Sequence, residues 1–192
     1  MTRSESPSEK EIVSNIISGD MSAKKYLYCR YAGYMTGVCS RYITDREDVR
    51  DVLHDSFLKI FSSIDSFEYR GAGSLKGWMT RIVVNESLKL LKQLYRYESL
   101  PLNEDLDEIP EEEPDLDSIQ LPELHTMIRE LPVGYRTIFN LFVFEEKSHK
   151  EIARILGIKE STSASQFHRA KRMLANKIKK YHQPDMSIAY ER

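Results

Sequence analysis

Apolar residues recur every three or four positions along most of the chain, and nowhere do they alternate in the two-residue rhythm of a half-buried strand. From Glu9, the positions Ile12, Val13, Ile16 and Ile17 follow a helical period until Gly19-Asp20 breaks it. A second helix is expected from about Ser22 to Tyr42, with bulk from Tyr26, Leu27, Tyr34, Met35 and Val38; its further rings, Tyr28, Tyr31 and Tyr42, are assigned to packing. Thr44-Asp45 reads as a cap with acids behind it, and predicts a third helix to about Ser62. Its buried face is Val49, Val52, Leu53, Ser56, Phe57, Ile60 and Phe61. Gly71, Gly73 and Gly77 break the next stretch, and the helical period resumes from Trp78 to about Tyr97, with Ile82, Val83, Ser87, Leu90 and Leu94 inward. Further on, Ile119, Leu124, Met127, Ile128 and Leu131 mark a helix ended by Pro132. Another runs from Tyr135 to Phe144.

The last part of the pattern is the most specific. Ser148 followed by Glu151 forms a capping box, Ile152, Ala153, Ile155 and Leu156 make one short stripe, and Gly157 suits a left-handed helix end. Ser161, Thr162 and Ser163 are each competent to cap the helix that follows, which runs without Gly or Pro to Lys180. Phe167, Ala170, Leu174 and Ile178 should pack inward, leaving Ser165, Gln166, His168, Arg169 and Arg172 on the opposite side. Two helices, a tight turn and a basic second helix suit major-groove entry followed by phosphate contact.

Charge divides the chain. Net charge is +3 over residues 1–97, −11 over 98–124 and +6 over 125–192, although the total is only −2. Residues 98–116, with three prolines and dense acids, read as an extended linker. The expected fold is therefore all-α, with two small helical domains, 1–97 and 117–192, joined by an acidic flexible linker. The C-terminal domain is a helix-turn-helix.

Other chemistry is sparse. The N-terminal stretch is polar and no run of about 18 apolar residues occurs, so neither signal peptide nor membrane insertion is expected and the location is read as cytoplasmic. Cys29 and Cys39 match no metal spacing and are taken as buried free thiols; five scattered histidines offer no metal site. No cofactor is expected. Asp48, Asp51 and Asp55 form an acidic ridge that can be a solvated face, a divalent-metal site or a docking surface for a basic partner. The glycine-rich stretch carries Phe67, Tyr69, Arg70, Lys76 and Trp78, a composition suited to splayed single-stranded bases. Trp78 can equally anchor the following helix in the core. On that helix Arg81, Asn85, Lys89 and Lys92 line one side, a solvated face or a second nucleic-acid ridge.

Three blocks in order carry a resemblance: D-x-E-D-x-x-D-V-x-x-D-x-F-L-K-I-F from Asp45 to Phe61, F-x-x-R-G-x-G-S-L-K-G-W-x-x-R-I-x-x-N from Phe67 to Asn85, and L-P-x-x-Y-R-x-I-F from Leu131 to Phe139 with E-I-A-x-x-L-G-I and R-A-K beyond it. With these the chain resembles the extracytoplasmic-function (ECF) sigma factors of bacterial RNA polymerase. The resemblance implies a factor without catalytic chemistry that binds core RNA polymerase and promoter DNA, and it brings an anti-sigma protein into view as a partner. It makes Asp48, Asp51, His54, Asp55 and Phe57 polymerase-contact or supporting residues. Phe67, Arg70, Lys76, Trp78, Arg81, Asn85 and Lys89 become residues of −10 recognition and melting, and Thr162, Ser165, Gln166, His168, Arg169 and Arg172 residues of −35 recognition. The acidic linker would imitate nucleic acid in the polymerase channels.

Three positions depart from the family pattern. His54-Asp55 stands where Gln-Glu is common, Gln166 where Arg is common, and Ser163 at a usually aliphatic site. Two rival readings make different predictions: a stand-alone helix-turn-helix regulator binds its operator without polymerase, and a nucleic-acid enzyme using Asp48, Asp51 and Asp55 needs Mg²⁺.

Overall fold

The structure is a computed structural model that describes residues 7–94 and 119–182; the linker expected at 98–116 lies outside them. The described elements are helical, and they fall in two compact units that divide between Leu94 and Tyr95.

In the first unit α1 (Glu9–Ile17), α2 (Met21–Tyr42), α3 (Arg46–Ser62) and α4 (Ser74–Leu94) enclose one core, with a 3-10 turn at Ile64–Ser66 before the glycine loop. The starts of α1, α2 and α3 have local causes. Ser8 and Glu11 form a capping box, Asp20 accepts from the Ser22 N–H, and Asp45 accepts from the N–H groups of Glu47 and Asp48. Leu27, Met35, Tyr42, Ile60, Leu75, Met79 and Val83 are fully enclosed. The Ser87 hydroxyl, also buried, donates to the Val83 carbonyl at 2.8 Å and lies 3.6 Å from Cys39 Sγ. Burial pushes the Cys39 thiol pKa up.

Several expectations change here. α4 begins four residues before Trp78, and Gly77 lies inside it, its N–H bonded to the Gly73 carbonyl at 3.0 Å. Gly71 and Gly73, with φ of 115° and 86°, make the break by themselves. Leu94 is exposed, and Val84, Leu88 and Leu91 are buried instead, because α4 packs against both α2 and α3 and so buries a wider face than one stripe. Ile17 is exposed beyond the α1 stripe. Of the tyrosines assigned to packing, Tyr31 and Tyr42 are buried, but Tyr28 and Tyr34 are 50% and 44% exposed. Cys29 is exposed as well, on the side of α2 turned from the core.

The second unit comprises α5 (Leu121–Arg129), α6 (Val133–Val143), α7 (His149–Leu156) and α8 (Glu160–His182). Met127, Ile128, Leu131, Tyr135, Ala170, Leu174 and Ile178 form a core cluster between α5, α6 and α8. Arg136 is buried yet useful there: its Nη1 donates to the carbonyls of Arg129 and Leu131 at 2.7 and 3.3 Å, satisfying groups that the end of α5 leaves without helical partners.

Candidate nucleic-acid interface

The α7–α8 pair is set by local chemistry. The Ser148 backbone N–H and hydroxyl both donate to Glu151 Oε2, at 2.9 and 2.7 Å, while the Glu151 N–H donates to Ser148 Oγ at 3.3 Å. These bonds hold the Glu151 carboxyl below its ordinary value of 4.5, the side-chain bond to Ser148 first. Gly157 ends α7 in the left-handed region at φ 74°. Ile152 and Leu156 fix the buried side of α7.

α8 begins at Glu160, earlier than the caps expected at Ser161, Thr162 or Ser163; the Lys159 carbonyl accepts the first helical bond, from Ser163 N–H. Ser163 is needed elsewhere. It is fully buried, and its Oγ is joined at 3.0 Å to Nδ1 of His149, whose ring stacks on Phe142 at 4.7 Å. A polar pair thus replaces the aliphatic contact expected at this site, and Phe167 completes the cluster at 4.3 Å from Phe142.

The reading face differs from expectation in one residue. Ser165 and His168 are exposed, and Thr162, Arg169 and Arg172 are half-buried. Gln166 is buried, 4% exposed, with Oε1 enclosed and lacking a hydrogen-bond partner. It sits one turn below Ala170 on the core side, so it does not face out with Ser165 and His168. The exposed line also takes in Ser161 and Lys171, which the pattern alone left out.

In the first unit, Asp51, His54 and Asp55 are exposed on α3 and Asp48 is half-buried. Phe57 is turned inward, its ring 4.7 Å from that of Tyr28, so it supports this face from beneath and cannot itself meet a partner. Leu58, 57% exposed, is the apolar residue that α3 presents. The ridge also carries Arg50, bonded to Glu47 at 2.9 Å and lying 3.9 Å from Asp51. Among the described residues no group of three or more metal-ligating side chains converges, so Asp48, Asp51 and Asp55 remain strung along the helix.

The glycine loop leads into α4. Phe67 leans on Trp78 with ring centroids 5.5 Å apart, both half-buried; Arg70 projects outward and pairs with Glu68 at 2.9 Å. Lys76 lies 3.8 Å over the exposed Tyr34 ring, a cation on an aromatic platform. Arg81, Asn85 and Lys89 are exposed along α4. Lys89 approaches Glu86 at 3.7 Å, and Glu86 also receives Lys59 of α3 at 2.8 Å, which keeps its carboxyl below the ordinary value. One residue absent from the sequence argument reaches this site: Glu9 Oε2 accepts from the N–H groups of Gly73 and Leu75 at 3.0 and 3.2 Å. Only the fold could reveal it, since 64 residues separate the first pair.

A helix-turn-helix with a basic second helix, and a separate unit carrying cations and aromatics around a glycine loop, make up a DNA-binding transcription factor of two modules. Residues 27–97 match the family model described as Sigma-70 region 2, and residues 121–174 match that described as Sigma-70, region 4. The ECF RNA polymerase sigma-E factor of Haemophilus influenzae is 31% identical over 185 residues, spanning 88% of this chain and 95% of that protein. The ECF RNA polymerase sigma-E factor of Escherichia coli K12 is 29% identical over 190 residues, spanning 91% and 96%. A solved structure of CnrH in complex with the cytosolic domain of CnrY aligns with a TM-score of 0.48 at 20% identity, over 88% of this chain and 95% of that one. The chain belongs to the ECF sigma factors of bacterial RNA polymerase. It is a transcription initiation factor that directs core RNA polymerase to promoters. Among the described residues no helix is long and apolar enough to cross a membrane.

Proposed function

We propose that the two units divide promoter recognition between them. Residues 1–97 dock on core polymerase and read the −10 element, residues 117–192 read the −35 element, and residues 98–116 join them. Asp48, Asp51, His54 and Asp55 make the polymerase-facing surface, with Leu58 as its apolar contact and Phe57 as its internal support. Phe67 and Arg70 receive an unpaired base against Trp78. Lys76, Arg81, Asn85 and Lys89 follow the strand and adjoining duplex. Flipping a base costs a few kcal/mol of stacking, so a loop that already fits one base favours opening where that base occurs. On α8, Ser165 and His168 face bases, with Thr162, Arg169 and Arg172 beside them; Gln166 acts from inside by holding the helix.

The factor has no catalytic chemistry of its own, works in the cytoplasm, and leaves RNA synthesis to the polymerase. Family membership also makes an anti-sigma protein a partner to test for. Two modules on one chain raise the effective concentration of the second contact once the first is made. The observation that carries the division is the pairing of an exposed, basic α8 with a cation- and aromatic-lined loop in a different unit.

Run-off transcription from a promoter library with core polymerase tests it. Selective transcripts sharing two spaced elements are expected, and each element should lose its influence when the corresponding unit is altered. Tight binding of a specific duplex without polymerase, and no gain of selectivity with it, would instead identify a stand-alone regulator.

A further inference from the structure

The base of the glycine loop is held by a side chain from the other end of the unit. The first N–H groups of α4 have no helical partner, and the residues nearest them cannot serve. Gly73 has no side chain, and Ser74 Oγ is engaged with the Gly71 carbonyl at 2.7 Å and the Arg70 N–H at 3.2 Å. The Glu9 carboxylate fills the gap, one oxygen accepting from Gly73 and Leu75 and the other from the Tyr31 hydroxyl at 3.1 Å. A helix N-terminus favours such an anion. Glu9 is itself held firmly: Ile12, Val13 and Ile16 anchor α1 in the core, Arg30 Nη1 donates to the Pro7 carbonyl at 3.0 Å, and Tyr31 is buried. Burial first, then the charge of Glu9, pushes the Tyr31 hydroxyl pKa up, so it stays a donor.

We propose that Glu9 is a positioning residue for −10 recognition, holding the Phe67–Gly73 loop in the conformation that receives the unpaired base. This rests on the reading that the loop takes that base. Glycine-rich backbone loses more freedom on ordering than any other, and a loop ordered before DNA arrives does not lose it at the moment of capture. Through Ser74 the same clasp reaches the Arg70 backbone. α1 precedes the stretch matched by the region 2 model, which begins at residue 27, so this control lies outside the matched segment.

The test uses holoenzyme, core polymerase with the full chain, and a forked promoter DNA whose −10 strand is single-stranded, taken from a promoter selected by the wild type. The quantity read is the ratio of affinities for the selected base and for a substituted base at each −10 position. In Glu9→Ala that ratio is expected to fall about tenfold, the scale of a lost hydrogen bond to a charged group. Glu9→Gln, which keeps a carbonyl oxygen for the two N–H groups, should retain most of it. Affinity for core polymerase and for a −35 duplex should not change. A ratio within twofold of wild type in Glu9→Ala, or an equal loss for both bases, would overturn the positioning role while leaving base capture in place. A wild type that shows no preference at any −10 position would remove base capture, and the role of Glu9 with it. Should Glu9→Ala fail to fold, amide exchange decides. Gly73 and Leu75 should be protected in the wild type and nearly as well in Glu9→Gln, and rapid exchange at both in the wild type would end the proposal.

Discussion

The two units place the elements proposed to read DNA by different means. α8 is set by neighbours in sequence: Ser148 with Glu151, the left-handed Gly157, and the His149–Ser163 bond spanning 14 residues. The loop before α4 is set by a carboxylate more than 60 residues away. A helix-turn-helix presents a rigid cylinder whose own backbone bonds fix its side chains, so setting its two ends suffices. The glycine loop has only a few bonds of its own, from the Ser74 N–H and hydroxyl to the Gly71 carbonyl and from the Arg70 N–H to Ser74 Oγ, and is held in addition from outside. The difference shows that the cost of precision depends on the element doing the reading.

The largest way to break this contrast is to empty the buried side of α7. Ile152→Ala should lower the stability of the second unit by about 3 kcal/mol. Faster amide exchange in α7 and α8 should show it, with −35 binding lost and −10 base preference on forked DNA retained. Loss of both preferences together would mean that the two readers are not separable. Next comes the buried member of the reading helix. Gln166→Ala should destabilise by about 1.5 kcal/mol without altering which −35 bases are chosen, whereas His168→Ala should change preference at one position by about tenfold. Selection from randomised −35 duplexes separates them, and a base switch in Gln166→Ala would place that side chain outside.

A smaller effect belongs to the cap. Ser148→Ala should cost about 1 kcal/mol, read as a lower urea midpoint of the second unit. The smallest is the acid response. Glu11 and Glu151 both have carboxyls lowered from 4.5 by bonds to their box serines. Their contribution is therefore complete above 4.5 and is lost as pH falls through the lowered values. Helical amides of α1 and α7 should lose protection in that window, and Glu11→Gln with Glu151→Gln should flatten the response.

What was legible in the sequence follows the same division. The start of α7 and its end at Gly157 could be read because their causes lie within four residues of one another. The centre of the α3 stripe, Val49, Val52, Ser56, Phe57 and Ile60, could be read from helical spacing, whereas Leu53 and Phe61 at its margins are only half-buried. Gln166 reads as outward and lies inward, since helical spacing puts it between the two sides and only the packing of α8 against α6 and α7 decides. Tyr28 and Tyr34 have the side chains of core residues yet lie at the margin of the core, Tyr28 against Phe57 of α3 and Tyr34 under Lys76 of α4, each with one side left to solvent. Glu9 carries no local signal at all: an acid in a first helical turn is ordinary, and its second use depends on a loop not yet folded when α1 is read.

Glu86 links the helix proposed for polymerase with the helix proposed for DNA. Its carboxylate receives Lys59 from α3 and approaches Lys89 on its own helix. Ile60 of α3 and Val83 of α4 are fully buried, and the two helices pack directly against each other, so neither turns without disturbing the core they share. The unit therefore behaves as a set square: once one edge is laid against the enzyme, the direction in which the other meets the opened strand is already drawn.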